Sequence, residues 1–448
     1  VFILENVENS IAKEFNFISL IKFATPTVVM MIITALYTII DSIFVSRFVG
    51  TSGLSAINIV YPVLSVIMAV AIMFATGGSA IIARQIGSGE EKEARKNLSL
   101  IYVTGFIISI VCVIIGLAFM KPMIYGLGAT DALYDLCRDY LKTMLFFSPA
   151  LVIQILGQSF IVVAGNPNLG MNLSILCGII NIILDYVFIV PLNMGIEGAA
   201  LATGLCYTLG AIIGVIYLFK RKSNLYFERP SLDLKVLGES CLNGSSEMVT
   251  NIAVAVVTFL YNIILMKYLG EDGVAAITIM LYAQFLLNAL FMGFSMGVAP
   301  VISYNYGAEN INQLKRIFRI CIGFIVLNSV LVFIIALWIS PYMMEIFTPR
   351  GSNVYNIAIE GFPLFSISFL FVGINIFASS MFTAFSNGKV SAIISFLRTF
   401  VFIVAGLAIL PAVFDITGIW LSVPVAELLA MIVSAGFIIR YGKRYNYF

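Results

Sequence analysis

Read from its N-terminus, the chain alternates long apolar runs with short breaks at Gly, Pro, Asn and clustered charge. Each run approaches or exceeds the roughly 20 residues that an α-helix needs to cross a hydrocarbon core of about 30 Å. The breaks predict twelve spans, near residues 24–46, 54–86, 97–119, 136–163, 169–190, 196–219, 241–266, 274–306, 316–339, 355–383, 389–411 and 416–439. Membrane barrels instead show short alternating segments. The expected fold is therefore an all-α polytopic membrane protein.

The pattern also repeats. At an offset of 220 residues Gly50 falls on Gly270, Gly53 on Gly273, Phe74 on Phe294, Gly77 on Gly297, Gly87 on Gly307, Pro191 on Pro411 and Gly198 on Gly418. Six spans per repeat is an even number, so both halves enter the bilayer the same way. Parallel repeats of this kind are related by an axis along the membrane normal and enclose a cleft near the midplane. The expected layout is an N-terminal segment (1–23), a first lobe (24–219), a linker (220–240), a second lobe (241–441) and a tail (442–448). The polar-faced first segment, "ILENVENSIAKEFNFISLIKF", reads as an interfacial amphipathic helix, not a cleavable leader.

Composition agrees with this picture. Of 448 residues 61% are hydrophobic and 11% charged, with a mean hydropathy of +1.05, whereas a soluble surface needs about 25% charge. With the N-terminus in the cytoplasm, the inner segments carry about eighteen of the 25 Lys and Arg, against about six outside. The positive-inside rule then places both termini and the linker in the cytoplasm. Histidine is absent and the six cysteines have no paired spacing, so neither a His-based metal site nor a disulfide framework is expected. No Walker motif or nucleophile elbow occurs, and nothing indicates nucleic-acid binding, a cofactor or an enzyme. A monomer is expected.

Against this apolar background the intramembrane polar residues stand out. A carboxylate within a span costs about 2.5–3.5 kcal/mol on insertion scales, so it carries a functional hypothesis by default. Asp41, Asp185 and Thr203 each fall about 10 Å below the outer boundary at 1.5 Å per residue. Asn181 lies one turn from Asp185, and Tyr37 one turn from Asp41. Such oxygens can ligate Na⁺, or the two carboxyls can share a proton. They could also merely pin helices together. At the offset of 220, however, Asp41, Asn181, Asp185 and Thr203 meet Tyr261, Val401, Ala405 and Val423, and a scaffold requirement should appear in both halves. Glu247, Arg398 and Glu427 are the charges within the second lobe, as cleft groups or as an ion pair holding the lobe. The amide pairs Gln154/Gln158 and Gln284/Asn288 either line the cleft or bond between helices. Ser88 and Glu91 have the spacing of a capping box.

"DSIFVSRFVGTSGLSAINI", "NIILDYVFIVPLNMGIEGAALAT" and "GVAPVISYNYGAENINQLKR" together resemble the multidrug and toxic compound extrusion (MATE) family, nearest its bacterial DinF- and MepA-like branch. The resemblance covers essentially the whole chain. It implies an H⁺- or Na⁺-coupled antiporter of a bacterial inner membrane that exports amphipathic, often cationic compounds. It assigns cation coupling to Asp41, Asn181, Asp185 and Thr203; Tyr37, Glu247 and Gln154 are candidates for supporting that site. Another branch uses acids in spans 7 and 10; Glu247 matches the first, while span 10 offers only Glu360, close to its outer end. Two alternatives share the sequence features: a lipid-linked precursor flippase of the same superfamily fold, which needs a basic cleft, and an integral membrane enzyme, for which no catalytic motif is present.

Overall fold

A computed structural model describes residues 11–220 and 223–448. The chain is helical almost throughout: α1 (Phe17–Phe44), α2 (Thr51–Gly87), α3 (Glu91–Ala118), α4 (Met120–Gly126), α5 (Asp131–Val163), α6 (Pro167–Ile189), α7 (Gly195–Phe219), α8 (Leu234–Gly307), α9 (Ile311–Phe347), α10 (Asn353–Ser366), α11 (Phe369–Ala384), α12 (Gly388–Phe396) and α13 (Phe402–Tyr445). Single π-helical turns, Val45–Val49 and Leu397–Val401, follow α1 and α12. Among the described residues nine helices are long and apolar enough to cross a membrane, and α10 with α11 makes a tenth span bent by 55°. Two of these are double. Gly270 (φ 65°) breaks α8 and Asp415 (φ 49°) breaks α13, so the count reaches the expected twelve.

The repeat is visible in the backbone. Gly50 (φ 93°) and Gly270 (φ 65°) occupy equivalent turns, each in the left-handed half of conformational space where a side chain would be strained. α1–α7 form the first lobe and α8–α13 the second. Each lobe has its own apolar core, while Ile107, Ile114, Phe259 and Trp338 project outward as a lipid-facing surface should.

The lobes meet on glycine. A Cβ added to Gly77 would overlap the Ser240 carbonyl and lie 2.7 Å from the Gly244 nitrogen; one added to Gly244 would lie 2.6 Å from the Met73 carbonyl carbon. Gly293 and Gly297 press against Thr27 and Ala24 of α1, and Gly87 and Gly307 against Tyr304 and Arg84. These are pseudo-symmetric contacts, since Ala24 and Gly244 are equivalent positions. Arg84 adds an ion pair across the seam to Glu239 at 3.7 Å. All of these contacts lie toward the end of the molecule that carries the basic loops.

Several boundaries differ from expectation. α1 begins at Phe17, because Asn16 and Ser19 cap it reciprocally; the span and the preceding segment are one helix from there on. Residues 11–16 are not helical; Ile11 and Phe15 are buried against the second lobe, where Gln313 donates to the Phe15 carbonyl at 3.0 Å. The rest of the expected interfacial helix lies outside the described residues. The linker ends earlier, at Asp233, which caps α8 by accepting from Lys235 and Val236. It folds back on the first lobe, where Arg95 donates to Asn224 and Tyr226. The tail is not loose: Tyr447 is buried and donates to the Ile438 carbonyl. Ser88 makes no capping box, since its hydroxyl turns back to Gln85 and Glu91 pairs with Arg95 instead.

Candidate cation site in the first lobe

Three neighbouring helices carry the expected residues. α6 packs between α1 and α7, and small residues let the three approach closely. Tyr37 of α1 lies against Gly178 of α6. Cys177 and Cys206 bond to each other's backbone carbonyls, at 3.6 and 3.4 Å, and so fix α6 to α7. Four residues beyond Cys177, Asn181 donates to the Thr203 hydroxyl at 3.5 Å.

Asp185, one turn further along α6, is fully buried. Its carboxyl interacts directly with that of Asp41 in the last turn of α1. Oδ1 of Asp41 and both oxygens of Asp185 are buried without a hydrogen-bond donor. A buried acceptor left unpaired costs about 1–3 kcal/mol, and more when charged. A proton or a small cation placed between the two carboxyls would satisfy these acceptors. The four residues expected to form one site do come together.

Sequence reasoning missed two further phenols within electrostatic reach of the pair. Tyr140 of α5 is buried within electrostatic reach of both carboxyls, and Tyr207 of α7 within reach of Asp41, Tyr37 and Tyr140. Half-exposed Tyr61 of α2 lies within electrostatic reach of Tyr207 and, across the lobes, of Tyr282 of α8. Tyr207 was within reach of sequence analysis, since it stands four residues after Thr203 on the same helix face. Tyr140 was not, because it stands in the charged stretch RDYLK at the start of its span and its neighbours Asp41 and Asp185 are far off in the chain.

The second lobe has no counterpart. Tyr261, at the position of Asp41, is fully buried with an unpartnered hydroxyl, and Val401, Ala405 and Val423 offer no ligand. Its own charges form a separate cluster. Arg398, on the π-helical turn, pairs with Glu427 at 3.8 Å. Asn375, another residue that sequence reasoning missed, donates to Glu427 Oε2 at 2.6 Å and accepts from Ser434. Glu247 lies within electrostatic reach of Arg398, and Glu360 is exposed. Gln158 bonds to Ser174 of α6 at 3.3 Å and Gln154 packs on Gly210, so both act between helices of the first lobe. Gln284 and Asn288 are partly buried, and Asn288 Oδ1 has no donor.

Comparison with known proteins agrees with this architecture. The MatE family model matches residues 26–187 and 248–408, one segment in each lobe. The chain belongs to the MatE family. Multidrug export protein MepA of Staphylococcus aureus (strain bovine RF122 / ET3-1) is 24% identical over 423 residues, covering 92% of this chain and 91% of MepA. A MATE protein solved in complex with MaL6 superposes with a TM-score of 0.93 at 22% identity, over 98% of this chain and 99% of that one. An outward-facing multidrug resistance MATE family transporter of the MOP superfamily gives 0.92 at 22% identity, over the same shares. At such identities the structures speak for the fold alone. Membership places the chain among membrane transporters, not enzymes.

Proposed function

We propose that this MATE protein is a multidrug exporter of a cell membrane, driven by one H⁺ or Na⁺ held between Asp41 and Asp185. The observation that carries the reading is the opposed carboxyl pair, with three buried and unpartnered oxygens, present in one lobe only. Asn181 and Thr203 supply further oxygens beside it. A cation entering from outside relieves the unpaired acceptors and lets α1 and α6 close on each other. Without it, the pair is under strain. Outward release of substrate and inward release of the ion then follow from the different affinity of two lobe arrangements for each. Inward movement of one charge yields about 2.3 kcal/mol per 100 mV from the potential alone.

The name of the relative, multidrug export protein MepA, supports small-molecule substrates, and the class proposed for this chain is amphipathic cations. Tyr61 of the first lobe and Tyr282 of the second lie within electrostatic reach of each other, and aromatic rings attract cations by about 0.5–2 kcal/mol. The basic loops support an orientation with both termini in the cytoplasm. The flippase alternative is not favoured, because Arg398 is paired with Glu427 and provides no free basic cleft. Dye efflux from proteoliposomes, under a pH gradient or a sodium gradient applied singly, tests the reading. One gradient should drive efflux and Asp41→Asn should abolish it; efflux that persists in Asp41→Asn with either gradient would remove Asp41 from the mechanism.

A further inference from the structure

We infer that the molecule carries a binding site for the headgroup of an anionic phospholipid, in a groove between the start of α1 and the first three turns of α9. The groove encloses about 570 Å³ and is lined by Phe17, Asn312, Lys315, Arg316, Arg319 and Ile320. Residues 312, 315, 316, 319 and 320 follow the i, i+3, i+4, i+7, i+8 spacing of one helix face. The wall from α9 therefore presents three cations within two turns.

What distinguishes these three is that unpaired cations stand together in one groove. Arg84, Arg95, Lys96, Arg138, Arg350 and Arg398 each pair with a carboxylate; among the described residues Lys315, Arg316 and Arg319 pair with none. Among the described residues no carboxylate lines the groove. Like charges so crowded repel, and an anion in the groove would remove that cost.

The remaining walls select which anion. Phe17 is 54% exposed and its neighbour Ile18 75%, where α1 starts its passage through the apolar layer. Ile320 closes the same side of the groove on α9. A free inorganic anion has no use for this apolar flank, whereas a phospholipid lays its acyl chain there and its phosphate on the guanidinium groups. Asn312 can then bond the glycerol. Because α1 belongs to the first lobe and α9 to the second, a lipid held here bridges the lobes. The inference is independent of the coupling ion.

Native mass spectrometry of the purified full chain, titrated with phosphatidylglycerol or phosphatidylcholine, tests it. Each cation near an anionic lipid is worth about 1 kcal/mol, so K315Q/R316Q/R319Q should weaken phosphatidylglycerol binding on the order of a hundredfold. Phosphatidylcholine binding should not change. A variant with three exposed charges removed elsewhere, K92Q/R229Q/K235Q, should bind phosphatidylglycerol as the wild type does. Millimolar inorganic phosphate should fail to displace the lipid. Equal phosphatidylglycerol binding by the wild type and the groove variant, or displacement by phosphate, overturns the assignment. Should the triple variant not fold, Arg319→Gln alone must still lower phosphatidylglycerol affinity several-fold, and an unchanged affinity counts against the site.

Discussion

Gly77→Ala is a demanding perturbation, because it adds one carbon at the place where the lobes touch. That Cβ would lie 2.7 Å from the Gly244 nitrogen and overlap the Ser240 carbonyl oxygen. Ordinary contact between such atoms begins near 3.5 Å, so the two backbones must separate by on the order of 1 Å. Both neighbours are main chain, and neither can rotate away. Overpacking of a close contact costs about 1–3 kcal/mol, but only in the arrangement where the seam is shut. A difference of that size shifts a two-state equilibrium about 5- to 150-fold. The shut seam should therefore lose its dominance. Spin labels at the exposed positions 92 in the first lobe and 443 in the second, on a cysteine-free background, report the separation by pulsed electron resonance. Gly77→Ala should add a longer-distance population, while Gly323→Ala, with nothing within 4 Å of its added Cβ, should match the wild type. A folded Gly77→Ala protein with the wild-type distance distribution would refute the seam as the point of closure.

Other consequences follow from the same contacts. Arg398 and Glu427 are both largely buried, so removing either alone strands a charge and should cost about 3–5 kcal/mol; Arg398→Met should lower the thermal midpoint in detergent, and the double variant Arg398→Met/Glu427→Leu should restore much of it. A double variant no more stable than the single would show that the two charges are not coupled. Gly178→Val should displace Tyr37 from α6 and slow efflux at least several-fold with unchanged expression; an unaffected rate would detach Tyr37 from the site.

Much of this organisation was legible in the sequence. Apolar length sufficed for twelve spans, and the offset of 220 disclosed the repeat, because turn glycines such as Gly50 and Gly270 keep their places when side chains drift. Asp41 and Asp185 were legible because charge is conspicuous in lipid and because Tyr261 and Ala405 showed one lobe to be special. The rest depends on contacts between residues far apart in the chain. Gly77 and Gly87 stood out as repeat landmarks, but nothing local says that Gly77 meets Gly244 and that Gly87 meets Tyr304. Tyr140 and Asn375 were invisible for the same reason, since their roles come from partners tens of residues away. Gln154 and Gln158 carried a correct hint of polarity, although their observed neighbours, Gly210 and Ser174, lie within the first lobe. The helix starts at Phe17 and Leu234 were misjudged because caps at Asn16 and Asp233 override a hydropathy boundary.

The central claim is that Asp41 and Asp185 together hold a single small cation that the substrate's passage displaces. It is tested most directly by counting ions released when an amphipathic cationic substrate is added to purified protein in weakly buffered detergent solution. One proton, or one sodium ion, should leave per transporter in the wild type, and none in Asp185→Asn. Undiminished release from the Asp41→Asn/Asp185→Asn double variant would contradict it.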